Sequence, residues 1–85
     1  MKRTAADFSV GEAIFYADDL MPYEGKVLRI RTSPEYLVLQ TFGRYEITRS
    51  PQFVFKTQRE CLDHCIEYLH ATQRMLEKLD QEVAA

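Results

Sequence analysis

Apolar positions recur with two different periods along the 85 residues. Up to residue 55 they fall in short runs broken by Gly, Pro and Asp, the pattern of strands and turns. From residue 57 they return every three or four positions, the pattern of one helix face. "EAIFYA" (12–17) reads as a short strand and "DDLMPYEG" (18–25) as a loop. "GKVLRIR" and "YLVLQTF" follow as strands, joined by "TSPE", whose Pro34 suits a turn rather than a central strand. Gly43-Arg44 then carries the type II′ hairpin signal before "YEITR".

The helix has a marked beginning. Thr57-Gln58-Arg59-Glu60 is a capping box, in which each terminal side chain satisfies a free backbone N–H of the other. No Gly or Pro follows it, so the helix runs to residue 82 or 83, about 37 Å at 1.5 Å per residue. A strand of five or six residues spans only about 17–20 Å, so the helix outruns the sheet it covers. The expected fold is α+β: a three- or four-stranded antiparallel meander with one long C-terminal helix packed on one face. One domain is expected, with residues 1–10 flexible, 12–56 the sheet and 57–83 the helix. Whether 12–17 joins the sheet stays open.

A two-residue Gly43-Arg44 loop sets Phe42 opposite Tyr45, Gln40 opposite Ile47 and Val38 opposite Arg49. A "TSPE" turn sets Arg31 beside Tyr36 and Arg29 beside Val38. One face of the expected sheet is therefore aliphatic, with Leu28, Ile30, Leu37 and Leu39. The other gathers Arg29, Arg31, Tyr36, Phe42, Tyr45 and Arg49, with Arg44 at the hairpin tip.

Charge sharpens that division. In residues 1–25, Lys2 and Arg3 oppose Asp7, Glu12, Asp18, Asp19 and Glu24, a net −3. In 26–56, Lys26, Arg29, Arg31, Arg44, Arg49 and Lys56 oppose Glu35 and Glu46, a net +4. In 57–85, Arg59, Arg74 and Lys78 oppose Glu60, Asp63, Glu67, Glu77, Asp80 and Glu82, a net −3. Guanidinium groups neutralise phosphates and aromatic rings stack on bases, so the basic aromatic face suits nucleic acid. The overall pI of 5.6 argues against a dedicated nucleic-acid binder. The bland alternative is a solvated face with rings packed under arginine stems.

The most chemical-looking stretch is "TQRECLDHCIEYLH" (57–70). At about 100° per residue, Cys65 falls about 40° from Cys61 on the apolar stripe, while His70 falls on the opposite, polar face. One straight helix cannot converge all four Cys and His side chains on a tetrahedral ion, so the cysteines read as core and no metal ligand is assigned. "FYADD" (15–19) resembles the Y-x-D-D turn of reverse transcriptases, but the chain is too short for the palm domain that motif needs; it reads as a strand end and a polar turn. No nucleophile, base and orienting group converge, and there is no Gly-rich phosphate loop. No catalytic residue, cofactor or enzymatic activity is expected.

Leu62, Leu69, Leu76 and Val83 recur at intervals of seven, with Cys65 and Leu79 at matching positions and Thr72 interrupting them. Residues 61–69 are expected to cover the aliphatic sheet face. The second half, with Met75, Leu76, Leu79 and Val83, is left to pair with the same half of a second chain or to remain a solvated tail. No apolar run approaches 18 residues and no signal-peptide core follows the N-terminus, so a cytoplasmic protein with reduced thiols and no membrane contact is expected.

The pattern Y-x6-G-x5-R-S-P-x-F, from Tyr36 to Phe53, resembles the corresponding stretch of the small enterobacterial cell-division activator proteins. That resemblance implies a three-stranded antiparallel sheet on a C-terminal helix, binding to double-stranded DNA and association with RNA polymerase. It carries a DNA-contact role over to Arg49 alone. The negative net charge, the longer helix and residues 1–20 depart from that family. Two functions are carried forward. One is a small bacterial-type regulatory protein whose basic face, Arg29, Arg31, Tyr36, Arg44, Tyr45 and Arg49, contacts nucleic acid or a transcription protein. The other is a protein-interaction module, a helix-mediated homodimer or a phage or mobile-element type of inhibitor, without nucleic-acid binding.

Overall fold

The computed structural model describes residues 3–84, apart from the side chains of 83 and 84. Its elements are β1 (Ala13–Asp18), β2 (Met21–Thr32), β3 (Glu35–Gln40), β4 (Glu46–Arg49), β5 (Val54–Phe55) and α1 (Gln58–Ala84), with 3-10 turns at Ala5–Asp7 and Pro51–Phe53. The fold is α+β: one antiparallel sheet of five strands, ordered β4-β3-β2-β1-β5, and one long C-terminal helix. The strand count exceeds the expected three or four because 12–17 does join and because two residues after the second 3-10 turn add β5 to the free edge of β1.

"DDLMPYEG" is not a loop. Asp19 and Leu20 alone form the turn, both with positive φ, 50° and 64°, and Met21 to Gly25 continue as strand opposite Ile14 to Asp18. Left-handed backbone at both central residues is the type I′ geometry that matches the twist of a hairpin. The resulting 12-residue β2 pairs with β1 along its first half and with β3 along its second, and a bulge at Leu28 lies within the β3-paired half.

Bulges bend strands, and here the sheet curls. Ile14 and Tyr16 of β1, Val27 of β2, Leu37 and Leu39 of β3 and Val54 of β5 form one buried cluster, with Ile30 and Ile47 against it. Gly25 lies at a close approach within it: a Cβ there would stand 3.0 Å from the Gln40 carbonyl oxygen and 3.2 Å from the Tyr16 ring. Each aliphatic side chain buried in this way contributes about 1.5–3 kcal/mol.

Residues 1–10 were expected to be flexible; 1 and 2 lie outside the described residues, and 3–10 close this core. Ala5 and Phe8 are buried in the cluster. Arg3 pairs with Glu60 at 2.6 Å, the Ala5 N–H donates to the Glu35 carboxylate, and the Lys56 ammonium sits 4.4 Å from the centre of the Phe8 ring. Lys56 also donates to the Asp7 carbonyl and to Glu12, the latter at 2.5 Å. The sequence offers Phe8 as the one aromatic residue among small and polar neighbours, too little for periodicity to register.

The helix starts where its capping box places it. The Glu60 N–H donates to Thr57 Oγ1 at 3.2 Å. The expectation that residues 61–69 cover the aliphatic face fails. Only Cys61 and Cys65 of that span are buried, and neither belongs to the aliphatic cluster. His64 meets Phe55 and Phe53, with ring centres 5.1 and 5.8 Å apart. Phe55 alternates with Val54, so the helix packs on the side of β1 and β5 opposite the core cluster. Because the turn at Ala5–Asp7 and Phe8 already fill the aliphatic side, the helix takes the other.

Candidate interaction surfaces

Two hairpins decide where the predicted site residues point. At the first, Arg31 pairs with Tyr36 and Arg29 with Val38, as the sequence predicts. At the second, Gln40 pairs with Glu46 and Leu39 with Ile47, one residue away from the expected register. The loop has three residues rather than two. The Thr41 N–H donates to the Tyr45 carbonyl at 2.8 Å, the Arg44 N–H to the Thr41 carbonyl at 3.1 Å, and Arg44 rather than Gly43 takes the positive φ, 64°.

A one-residue slip turns a whole strand over. Ile47 and Arg49 therefore share the side of Leu37 and Leu39, while Glu46 and Thr48 join Arg29, Arg31 and Tyr36. The expected six-residue basic face does not assemble. Arg49 lies with its guanidinium carbon 5.8 Å from the centre of the Tyr16 ring, and Arg44 and Tyr45 stand exposed at the hairpin tip. Arg29 spans β3 to bind Glu46 at 2.8 Å. On this side of β2 to β4, Lys26, Arg29 and Arg31 stand against Glu24 and Glu46, so the +4 of the middle segment is largely dispersed.

The cysteine and histidine stretch separates as helical geometry requires. Cys61 and Cys65 are free and buried, and burial, with Cys65 alongside, pushes the Cys61 thiol up to about 11. Such a thiol stays protonated and inert near neutral pH. His70 is exposed, and among the described residues no three His, Cys, Asp or Glu side chains are grouped to hold a metal ion. Asp18 and Asp19 of "FYADD" end β1 and enter its turn.

The larger surface lies on α1. Every residue from Ile66 to Glu82 is exposed, and along that span Leu69, Met75, Leu76 and Leu79 are 41%, 67%, 56% and 53% exposed. The molecule measures 52 Å along its longest axis and 27 and 22 Å across, which fits a helix of about 40 Å projecting past the sheet. Of the predicted dimerisation residues, Met75, Leu76 and Leu79 share this surface; the Val83 side chain lies outside the described residues. At about 100° per residue, Leu76 and Leu79 fall within about 60° of Cys61. The stripe that is buried at Cys61 and Cys65 therefore continues exposed as far as Leu79.

Leu20 is among the exposed apolar residues that escaped sequence reasoning. Leu20 sits at the tip of the β1-β2 hairpin in left-handed backbone, where a branched-chain residue costs about 1–2 kcal/mol, and is 41% exposed. It lines a groove with Ala17, Asp19, His64, Cys65 and Tyr68. The available signal was the two strand-like runs flanking Asp19-Leu20, hidden by Pro22 and Gly25. No described helix is long and apolar enough to cross a membrane. Comparison with protein families, curated proteins and solved structures found no match.

Proposed function

We propose that this protein is a non-enzymatic protein-interaction module that associates through the projecting half of α1. The observation that carries this reading is the exposed stripe of Leu69, Met75, Leu76 and Leu79 on a helix segment whose residues from Ile66 to Glu82 are all exposed. Helices in proteins gain most of their stability by packing an apolar face. A second helix laid along the stripe supplies that packing. Light scattering after gel filtration tests it: concentration-dependent association that survives high salt and is lost in Leu76→Asp/Leu79→Asp supports the reading. A monomer at every concentration rejects it.

The nucleic-acid reading keeps one specific support, the placement of Arg31 and Tyr36 side by side with Arg29 on the open sheet face. With Arg49 turned away and Arg29 bound to Glu46, it ranks second. Salt-dependent binding to duplex or single-stranded DNA, weakened by Arg31→Ala, would restore it.

A further inference from the structure

We infer that the groove between the β1-β2 turn and α1 takes the arginine side chain of a partner protein. The site is separate from the stripe of Leu69, Met75, Leu76 and Leu79, and stands or falls without it. Its lining is Ala17, Asp19, Leu20, His64, Cys65 and Tyr68. The cavity volume, about 170 Å³, is well below the roughly 300–1,000 Å³ of sites that enclose whole small molecules, and it suits one long side chain.

Charge and ring chemistry select the occupant. Asp19 is the one carboxylate in the lining, no Lys or Arg lines it, and among the described residues Asp19 takes part in no ion pair. Tyr68 follows His64 by four residues on α1, so both rings lie on one helix face with Cβ atoms about 5–6 Å apart. Phe55 and Phe53 pack on the His64 ring, with centres 5.1 and 5.8 Å away, and hold it while it still reaches the groove. A carboxylate, two rings and aliphatic walls form the complement of a flat cation on an aliphatic stem. The lysine ammonium is compact and strongly hydrated, whereas a guanidinium forks onto a carboxylate and stacks on rings. In the groove its N–H groups donate to the Asp19 carboxylate, its plane lies against the Tyr68 and His64 rings, and its stem packs on Leu20 and Ala17.

The turn fixes two of these groups on left-handed backbone, Asp19 at φ 50° and Leu20 at φ 64°, where glycine or asparagine sits with less strain. Leu20 still presents its side chain to the groove, 41% exposed. Glycine in its place would leave the arginine stem without that wall.

Titration of the isotope-labelled full chain with capped Gly-Arg-Gly, Gly-citrulline-Gly, Gly-Lys-Gly and Gly-norleucine-Gly, followed by amide chemical shifts, tests the site. The arginine peptide is expected to shift residues 17–20 and 64–68 with a dissociation constant on the order of 1 mM. The citrulline peptide, which keeps the shape and loses the charge, is expected to bind about tenfold more weakly, and the lysine peptide about three- to tenfold more weakly. Asp19→Asn, which suits the left-handed turn and keeps the fold, is expected to weaken the arginine peptide about tenfold. Tyr68→Ala, at an exposed helix position, is expected to weaken it about threefold. No shift at those residues, equal binding of the citrulline peptide, or binding untouched by Asp19→Asn or by Tyr68→Ala overturns the site. Equal shifts from the lysine or norleucine peptide overturn arginine as the occupant. Shifts of the same residues that grow with protein concentration alone make a second copy the occupant and overturn it too.

Discussion

The Arg49 guanidinium carbon lies 5.8 Å from the centre of the Tyr16 ring, joining β4 to β1 across the curl of a sheet in which two strands separate them. In a flat sheet three strand spacings, about 14 Å, would keep those backbones apart. Cation-π contacts contribute about 0.5–1 kcal/mol where solvent reaches them. Arg49→Ala is therefore expected to lower unfolding free energy by about that amount in urea titrations, and Tyr16→Phe, which keeps the ring face, to retain the contact. If Arg49 served DNA instead, its loss would change binding and leave stability untouched.

The clasp on the N-terminal segment predicts an acid response. Glu12 is held below its ordinary value of 4.5, chiefly by its hydrogen bond with Lys56. A depressed carboxyl stabilises the fold above its unfolded pKa and loses that contribution as pH falls through the folded one. Glu12→Gln is thus expected to cost about 0.5–1 kcal/mol at pH 7, for a partly exposed pair, with the difference from the parent closing below pH 4.5. Thermal melts of both chains across that range check it; a constant difference would contradict it.

Arg44 reports on the hairpin register. It holds φ 64° at an exposed tip, where glycine is less strained. Arg44→Gly should stabilise the chain by about 0.5–1 kcal/mol, whereas a two-residue loop turning at Gly43 would gain nothing. Gly25→Ala is expected to cost about 1–3 kcal/mol, since the Gln40 backbone cannot move away as a side-chain end would.

Cys61 should behave as core. Iodoacetamide at pH 8 should leave it unmodified in the folded chain and alkylate it rapidly in denaturant, because both burial and the raised pKa of about 11 disfavour the thiolate. Cys61→Ser, which puts an unpaired hydroxyl there, is expected to cost about 1–3 kcal/mol.

Local signals with a chemical mechanism were legible. Thr57 and Glu60 fixed the helix start, and the pairing of Arg31 with Tyr36 followed from the turn at Pro34. The interior of the second hairpin was misread because Gly43 drew the turn toward itself, while Arg44 took the left-handed position. That single slip moved Arg49 from the candidate site to the Tyr16 ring. The burial of Phe8 and the addition of β5 depend on long-range closure, which leaves no period in the chain. The helix stripe was the most readable surface feature, since heptad spacing is local, yet only the fold reveals that Ile66 to Glu82 stand uncovered.

Association through α1 is tested most directly by amide hydrogen exchange in residues 66–82 at two protein concentrations. Protection there is predicted to rise with concentration, and to fall away in Leu76→Asp, while residues 58–65 on the sheet stay equally protected throughout. Equal exchange of residues 66–82 at both concentrations would contradict the account.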